Sequence, residues 1–195
     1  MRKPRIIGNP NALQKLAHVD PRAVKQQGTT RTLFHYLPYG TDRTYEFFVN
    51  LNNSLAIFKN LEQNKLTEGE ALVIKRILFP ALVVDALDKE NVTAVYNYQV
   101  LNLANLLAGR IDIVVGNQTV VKDLPLSKAI GFNQNVSTNY DTLVLDLESE
   151  IVLEKDVEFK VILKNCGKNA TASDTLMVGL ALDGYGKILN LKKNI

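Results

Sequence analysis

The chain has 195 residues, 46% of them hydrophobic, and a formal charge of +3. That length suits one domain with an appendage, or at most two small domains, and a core that needs no covalent staples. The lone cysteine, Cys166, excludes an intrachain disulfide framework, and a net charge of +3 is too small to indicate nucleic acid by itself.

The charge is unevenly placed. Residues 1–30 hold six basic side chains against Asp20, a local +5 that leaves −2 for the rest of the chain. This stretch also carries Pro4, Pro10 and Pro21. It reads as a basic extended N-terminal arm, followed by a strand-rich domain over residues 31–195. Within the arm, Ile6-Ile7 is stopped by Gly8-Asn9-Pro10. A classical signal peptide needs about 7–15 apolar residues, so none is expected. The most apolar window, Ile77–Leu87, is cut by Pro80 and Asp85. It falls short of the roughly 18 residues of a membrane span, and the expectation is a soluble protein made in the cytosol.

Taken in chain order, the arm offers one short helix over Asn11–His18, with Asn11 as its cap and Leu13, Leu16 and Ala17 on one face. Two turns are marginal alone in water, so it would need a surface to dock on. Lys25–Thr30 reads as an extended connector. From Arg31 the apolar period becomes two. Strands are expected at Thr32–Tyr36, Thr44–Val49 and Ser54–Phe58, with turns at Pro38–Gly40 and Asn50–Asn53. Ala71–Phe79 is rich in β-branched residues, and Pro80 should end that strand or place it at a sheet edge.

Val92–Val100 alternates as a strand. Leu101–Ala108 suits a two-turn helix ended by Gly109. Arg110–Leu124 reads as a hairpin about Gly116-Asn117-Gln118. Thr142–Leu147, Val157–Leu163 and Thr175–Asp183 alternate as strands, with turns at Asn165–Asn169 and Asp183–Gly186. Eight to ten strands, one or two short helices and no long alternating helices predict an all-β fold. An antiparallel β-sandwich or single jelly roll fits best.

Catalytic chemistry finds little purchase. His18 and His35 lack a second histidine at zinc-ligand spacing, and His35 reads as a strand residue bonded locally or facing solvent. Cys166, beside Lys164 and Lys168, reads as an incidental turn thiol. The acids Asp141, Asp146, Glu148, Glu150, Glu154, Asp156 and Glu158 match no calcium-loop spacing and read as a solvated acidic edge. Asp183-Gly184-Tyr185-Gly186 lacks the lysine and helix of a phosphate cradle. Asn-x-Ser/Thr sequons at Asn52, Asn91, Asn117, Asn135 and Asn169 mark loops. No catalytic residue, metal, cofactor or small-molecule substrate is expected.

The arm is the candidate binding element, through Arg2, Lys3, Arg5, Ile6, Ile7, Leu13, Leu16, Arg22 and Lys25. Its thin charge and small apolar patches suit a strap on a neighbouring subunit better than a polyanion binder. Basic arms can also neutralise nucleic-acid phosphates. A long arm, a β-sandwich with asparagine-rich loops and no disulfides resemble the jelly-roll structural proteins of viral particles, phage capsid and capsid-associated proteins in particular. The resemblance implies a virion protein, made in the host cytoplasm, whose partners are copies of itself and other particle proteins. The rival expectation is a carbohydrate-binding β-sandwich module with Tyr96, Tyr98, Tyr140 or Tyr185 as stacking residues. The absence of tryptophan counts against it.

Overall fold

A computed structural model describes residues 29–54, 56–67, 70–83, 103–132, 142–166 and 176–187. These hold nine strands: β1 Thr29–Pro38, β2 Thr44–Phe47, β3 Ala71–Val83, β4 Arg110–Val115, β5 Gln118–Pro125, β6 Ile130–Phe132, β7 Thr142–Leu153, β8 Phe159–Lys164 and β9 Leu176–Lys187. They form two antiparallel sheets, ordered β1-β9-β3-β7-β6 and β2-β8-β4-β5. The strand pairs are nested in sequence. β4 pairs with β5, β3 with β7, β2 with β8 and β1 with β9. Successive nested pairs fall in alternate sheets. The all-β expectation is met.

The inner faces of both sheets feed one buried cluster. Leu33, Leu72, Ile74, Ile77, Phe79, Leu143, Leu145, Leu180 and Leu182 come from the first sheet. Phe47, Ile111, Ile113, Phe159, Val161 and Leu163 come from the second. The period-2 alternation read from the sequence is what delivers them, since successive side chains on a strand point to opposite faces. On the outer face of the first sheet, Thr32, Asp183, Arg76 and Asp146 form one polar row by strand register. The next row along, Phe34, Ala181, Leu78, Val144 and Ile130, is wholly apolar.

Three sequence expectations are corrected. Ser54–Phe58 is not a strand: 3-10 turns occupy Leu51–Asn53 and Ala56–Phe58. Just beyond it, Lys59 and Asn60 border β1 instead. The Asn60 side chain accepts from the Phe34 N–H at 2.8 Å and donates to the Thr32 carbonyl at 2.7 Å, occupying the edge as a strand would. Pro80 neither ends β3 nor puts it at an edge, for β3 runs on to Val83 between β9 and β7. The proline is accommodated because Gly179 lies beside it. A Cβ on Gly179 would stand 2.8 Å from Pro80 Cγ and 2.5 Å from Tyr36 Cε1.

The third correction concerns Asp183–Gly186, which is strand rather than turn, since β9 continues to Lys187. Here β3 carries an extra residue, Lys75, between Ile74 opposite Gly184 and Arg76 opposite Asp183. The bulge brings the Val73 carbonyl over Gly184, where a Cβ would collide with that oxygen. Glycine is demanded there by a close approach, not by a turn.

Other expectations hold with adjusted detail. The β4–β5 hairpin turns at Gly116-Asn117, with Gly116 at φ 57°. The helix before it is a 3-10 segment, Leu103–Ala108, ended by Gly109, whose N–H donates to the Leu106 carbonyl at 2.8 Å. The expected helix at Asn11–His18 and strand at Val92–Val100 lie outside the described residues. Among the described residues no helix is long and apolar enough to cross a membrane.

Candidate functional site

The arm residues Arg2, Lys3, Arg5, Ile6, Ile7, Leu13, Leu16, Arg22 and Lys25 lie outside the described residues, as do His18, Tyr96, Tyr98 and Tyr140. What the structure does place is the element that follows the arm. β1 starts at Thr29, and among the described strands it pairs only with β9, which puts it at the edge of the five-stranded sheet.

His35 is fully buried on the inner side of β1. Its Nδ1 accepts from the Phe48 N–H at 2.9 Å, so its proton sits on Nε2, which faces Ser54 Oγ at 2.8 Å. Burial, joined by the charge of nearby Lys59, lowers its pKa to about 4. The ring is therefore neutral at pH 7 and serves as a brace. It holds a loop with two left-handed non-glycine residues, Phe48 at φ 63° and Asn50 at φ 52°. For a bulky residue such as Phe48 that conformation is an outlier, at a cost of about 1–2 kcal/mol. The Phe48 ring is buried against Phe159, with centroids 5.3 Å apart.

Beside this loop lies a cleft of about 590 Å³. One wall is Phe48–Asn52, a second is Glu62–Lys65, and Glu158 closes it. The second wall is tied down where Phe159 N–H donates to the Asn64 carbonyl at 2.8 Å. The Glu158 carbonyl accepts from Gly116 N–H at 2.7 Å. Lys59, itself buried, reaches Glu62 at 2.7 Å.

A second concavity, of about 390 Å³, opens on the outer face of the five-stranded sheet at the β3 bulge. Lys75, Arg76, Asp146, Asp183 and Tyr185 line it. One of its acids, Asp183, is engaged by one of its bases, Arg76. Asp183 accepts from Thr32 Oγ1 at 2.5 Å and from Arg76 Nε at 2.6 Å. The acid that closes the apolar run Met177–Leu182, Asp183, is a sequence signal that could have pointed to this network, although its partners are 107 and 151 residues away.

The remaining candidates resolve as structure. Cys166 is buried rather than an exposed turn thiol, with Sγ 3.5 Å from the Arg43 carbonyl oxygen. Burial pushes its pKa up, as it pushes that of Tyr39 up to about 12. A raised thiol pKa disfavours the reactive thiolate. The acidic segment does not converge. Asp146 faces the outer cleft, Glu148 pairs with Lys128 at 3.2 Å, and Glu158 lines the end cleft. Among the described residues no three His, Cys, Asp or Glu side chains gather to hold a metal. Tyr185 is half-buried, packed against the small cluster of Ala71 and Val73.

On the four-stranded sheet, Lys164 pairs with Asp112 and lies 3.5 Å from Asp123. Burial opposes ionisation of Asp112, but the Asp123 N–H at 2.8 Å and the Lys164 ammonium outweigh it and hold the carboxyl below its usual range. Compared with known protein families, curated proteins and solved structures, the chain matches none of them.

Proposed function

We propose that this chain is a non-enzymatic structural protein of a viral particle, a capsid or capsid-associated protein that builds a symmetric assembly through its N-terminal arm and sheet edges. The supporting observation is the nested strand pairing. Apart from the three-residue β6, the orders β1-β9-β3-β7 and β2-β8-β4-β5 describe one antiparallel ribbon wrapped so that its pairs alternate between sheets. That wrapping supports reading the domain as a jelly roll, an architecture of viral capsid and lectin domains. A fold hosts many functions, so the arm carries the choice between them.

The arm precedes an edge strand. Twenty-eight residues can span at most about 90 Å when extended, enough to reach a neighbouring copy. Its basic residues then meet acidic edges of that neighbour, or phosphate where nucleic acid is present.

Deleting residues 1–28, which leaves the Thr29–Gly186 pair intact, should give a folded monomer while the full chain forms a larger closed species. Light scattering and electron microscopy of both forms decide it. A truncated chain that assembles as well as the full one removes the arm from the reading.

A further inference from the structure

The end cleft beside the Phe48–Asn52 loop is built more carefully than a loop junction requires. Its first wall keeps Phe48 and Asn50 in left-handed conformations, held from behind by the buried His35. Strain of this kind persists only where surrounding structure enforces it, and it gathers at binding sites. Its second wall is fixed through the Asn64 carbonyl. The walls are thus set before any ligand arrives, which lowers the entropic cost of binding.

The lining chemistry selects the ligand. Asn50, Asn52, Gln63 and Asn64 supply four side-chain amides, with Lys65 and Glu158 at the margin. An amide offers two N–H donors and a carbonyl acceptor side by side. That pattern complements vicinal hydroxyls, each of which donates and accepts at once. Charge is mixed and partly neutralised, since Glu62 is engaged by Lys59, so a strongly charged ligand gains little. The volume of about 590 Å³ accommodates one or two sugar rings.

We propose that this cleft binds a neutral polyhydroxylated ligand, a glycan of one or two exposed residues, by amide recognition rather than by stacking on an aromatic platform. The proposal goes beyond the assembly reading, because the described residues that line the cleft lie at 48–52, 62–65 and 158, outside the arm.

The test is saturation-transfer NMR on the full chain with methyl glucoside, galactoside, mannoside and N-acetylglucosaminide. At least one should bind in the millimolar range. The Asn52→Ala/Asn64→Ala double variant should weaken that binding about tenfold or more, the expected effect of losing one good hydrogen bond. Asn117→Ala, at the exposed tip of the β4–β5 hairpin, should leave it unchanged. His35→Gln should weaken it through the wall it braces. Transfer to none of the four glycosides overturns the proposal. So does a double variant that melts normally and binds as tightly as the parent. Because oligomer mass is not the readout, failure here leaves the assembly reading untouched.

Discussion

The two sheets use the same alternating pattern to opposite ends. In the five-stranded sheet, β9 lies between β1 and β3, and every residue from Met177 to Gly184 is buried. In the four-stranded sheet, β8 alternates buried and partly exposed positions, and the outer strand β5 has no buried residue at all. One sheet is covered on both faces along β9; the other keeps a wet face and an open edge. β9 accordingly carries an apolar run broken by glycines, whereas β8 reads Phe-Lys-Val-Ile-Leu-Lys. The difference teaches where the chain tolerates change. Substitutions in the covered sheet meet atoms on every side, and those at the open edge meet water.

The sharpest way to break this contrast is a pair of glycine substitutions. Gly184→Ala sets a Cβ against the Val73 carbonyl and must open the bulge, so urea unfolding should show a loss of roughly 3–4 kcal/mol. Gly116→Ala, in the hairpin of the open sheet, meets only Val157 Cγ1 at 3.5 Å. Its cost should be the left-handed penalty alone, about 1 kcal/mol. Equal losses would mean that the bulge relaxes freely. Next in size, Leu180→Ala in β9 should lose about 3 kcal/mol of core packing, while Val120→Ala in β5, 45% exposed, should stay within about 0.5 kcal/mol.

The smallest expected effect is a difference in pH response. His35, in the covered sheet, has a folded pKa near 4 against 6.5 when unfolded. The unfolded chain therefore binds the extra proton first. Stability from this group is complete above about pH 6.5 and is lost as pH falls towards 4, by on the order of 2 kcal/mol after allowing for screening. Asp112, in the open sheet, has a folded pKa below its ordinary value. Its contribution is present at neutral pH and disappears only as acid titrates the carboxylate itself. Urea midpoints measured from pH 7.5 to 4.5 should fall in the parent chain and flatten in His35→Gln, whereas Asp112→Asn should keep the parent slope across that window. A parent midpoint that stays level would place the His35 ring outside the brace described.

Much of the architecture was legible because alternation is a local property. Thr44–Phe47, Thr142–Leu147 and Phe159–Leu163 could each be read from a window of ten residues and the β4–β5 hairpin from a slightly longer one, and Gly109 announced its helix end. The failures share one cause. Pro80 and Asp183–Gly186 carry the composition of breakers and turns, yet both lie inside strands because of what stands across from them. Gly179 makes room for Pro80, and the Lys75 bulge brings the Val73 carbonyl onto Gly184. Those partners are about 100 residues away in sequence, and no window contains both. Ser54–Phe58 failed in the other direction: its pattern suited a strand, but it ends in a 3-10 turn, and it is Lys59 and Asn60 just beyond it that meet β1.

By itself, then, the sequence determined the all-β class, the absence of an intrachain disulfide, the inward residues of most strands and the concentration of basic charge in residues 1–30. These follow from composition and from a period of two, which any short segment displays. Only the tertiary structure decided that the strands nest as successive pairs in alternate sheets, that Cys166 is buried, and that His35 braces a strained loop beside an amide-lined cleft. Each of these depends on which distant segments come together. Burial and hydrogen-bond partnership belong to pairs of residues brought together in space, and sequence patterning describes them one segment at a time.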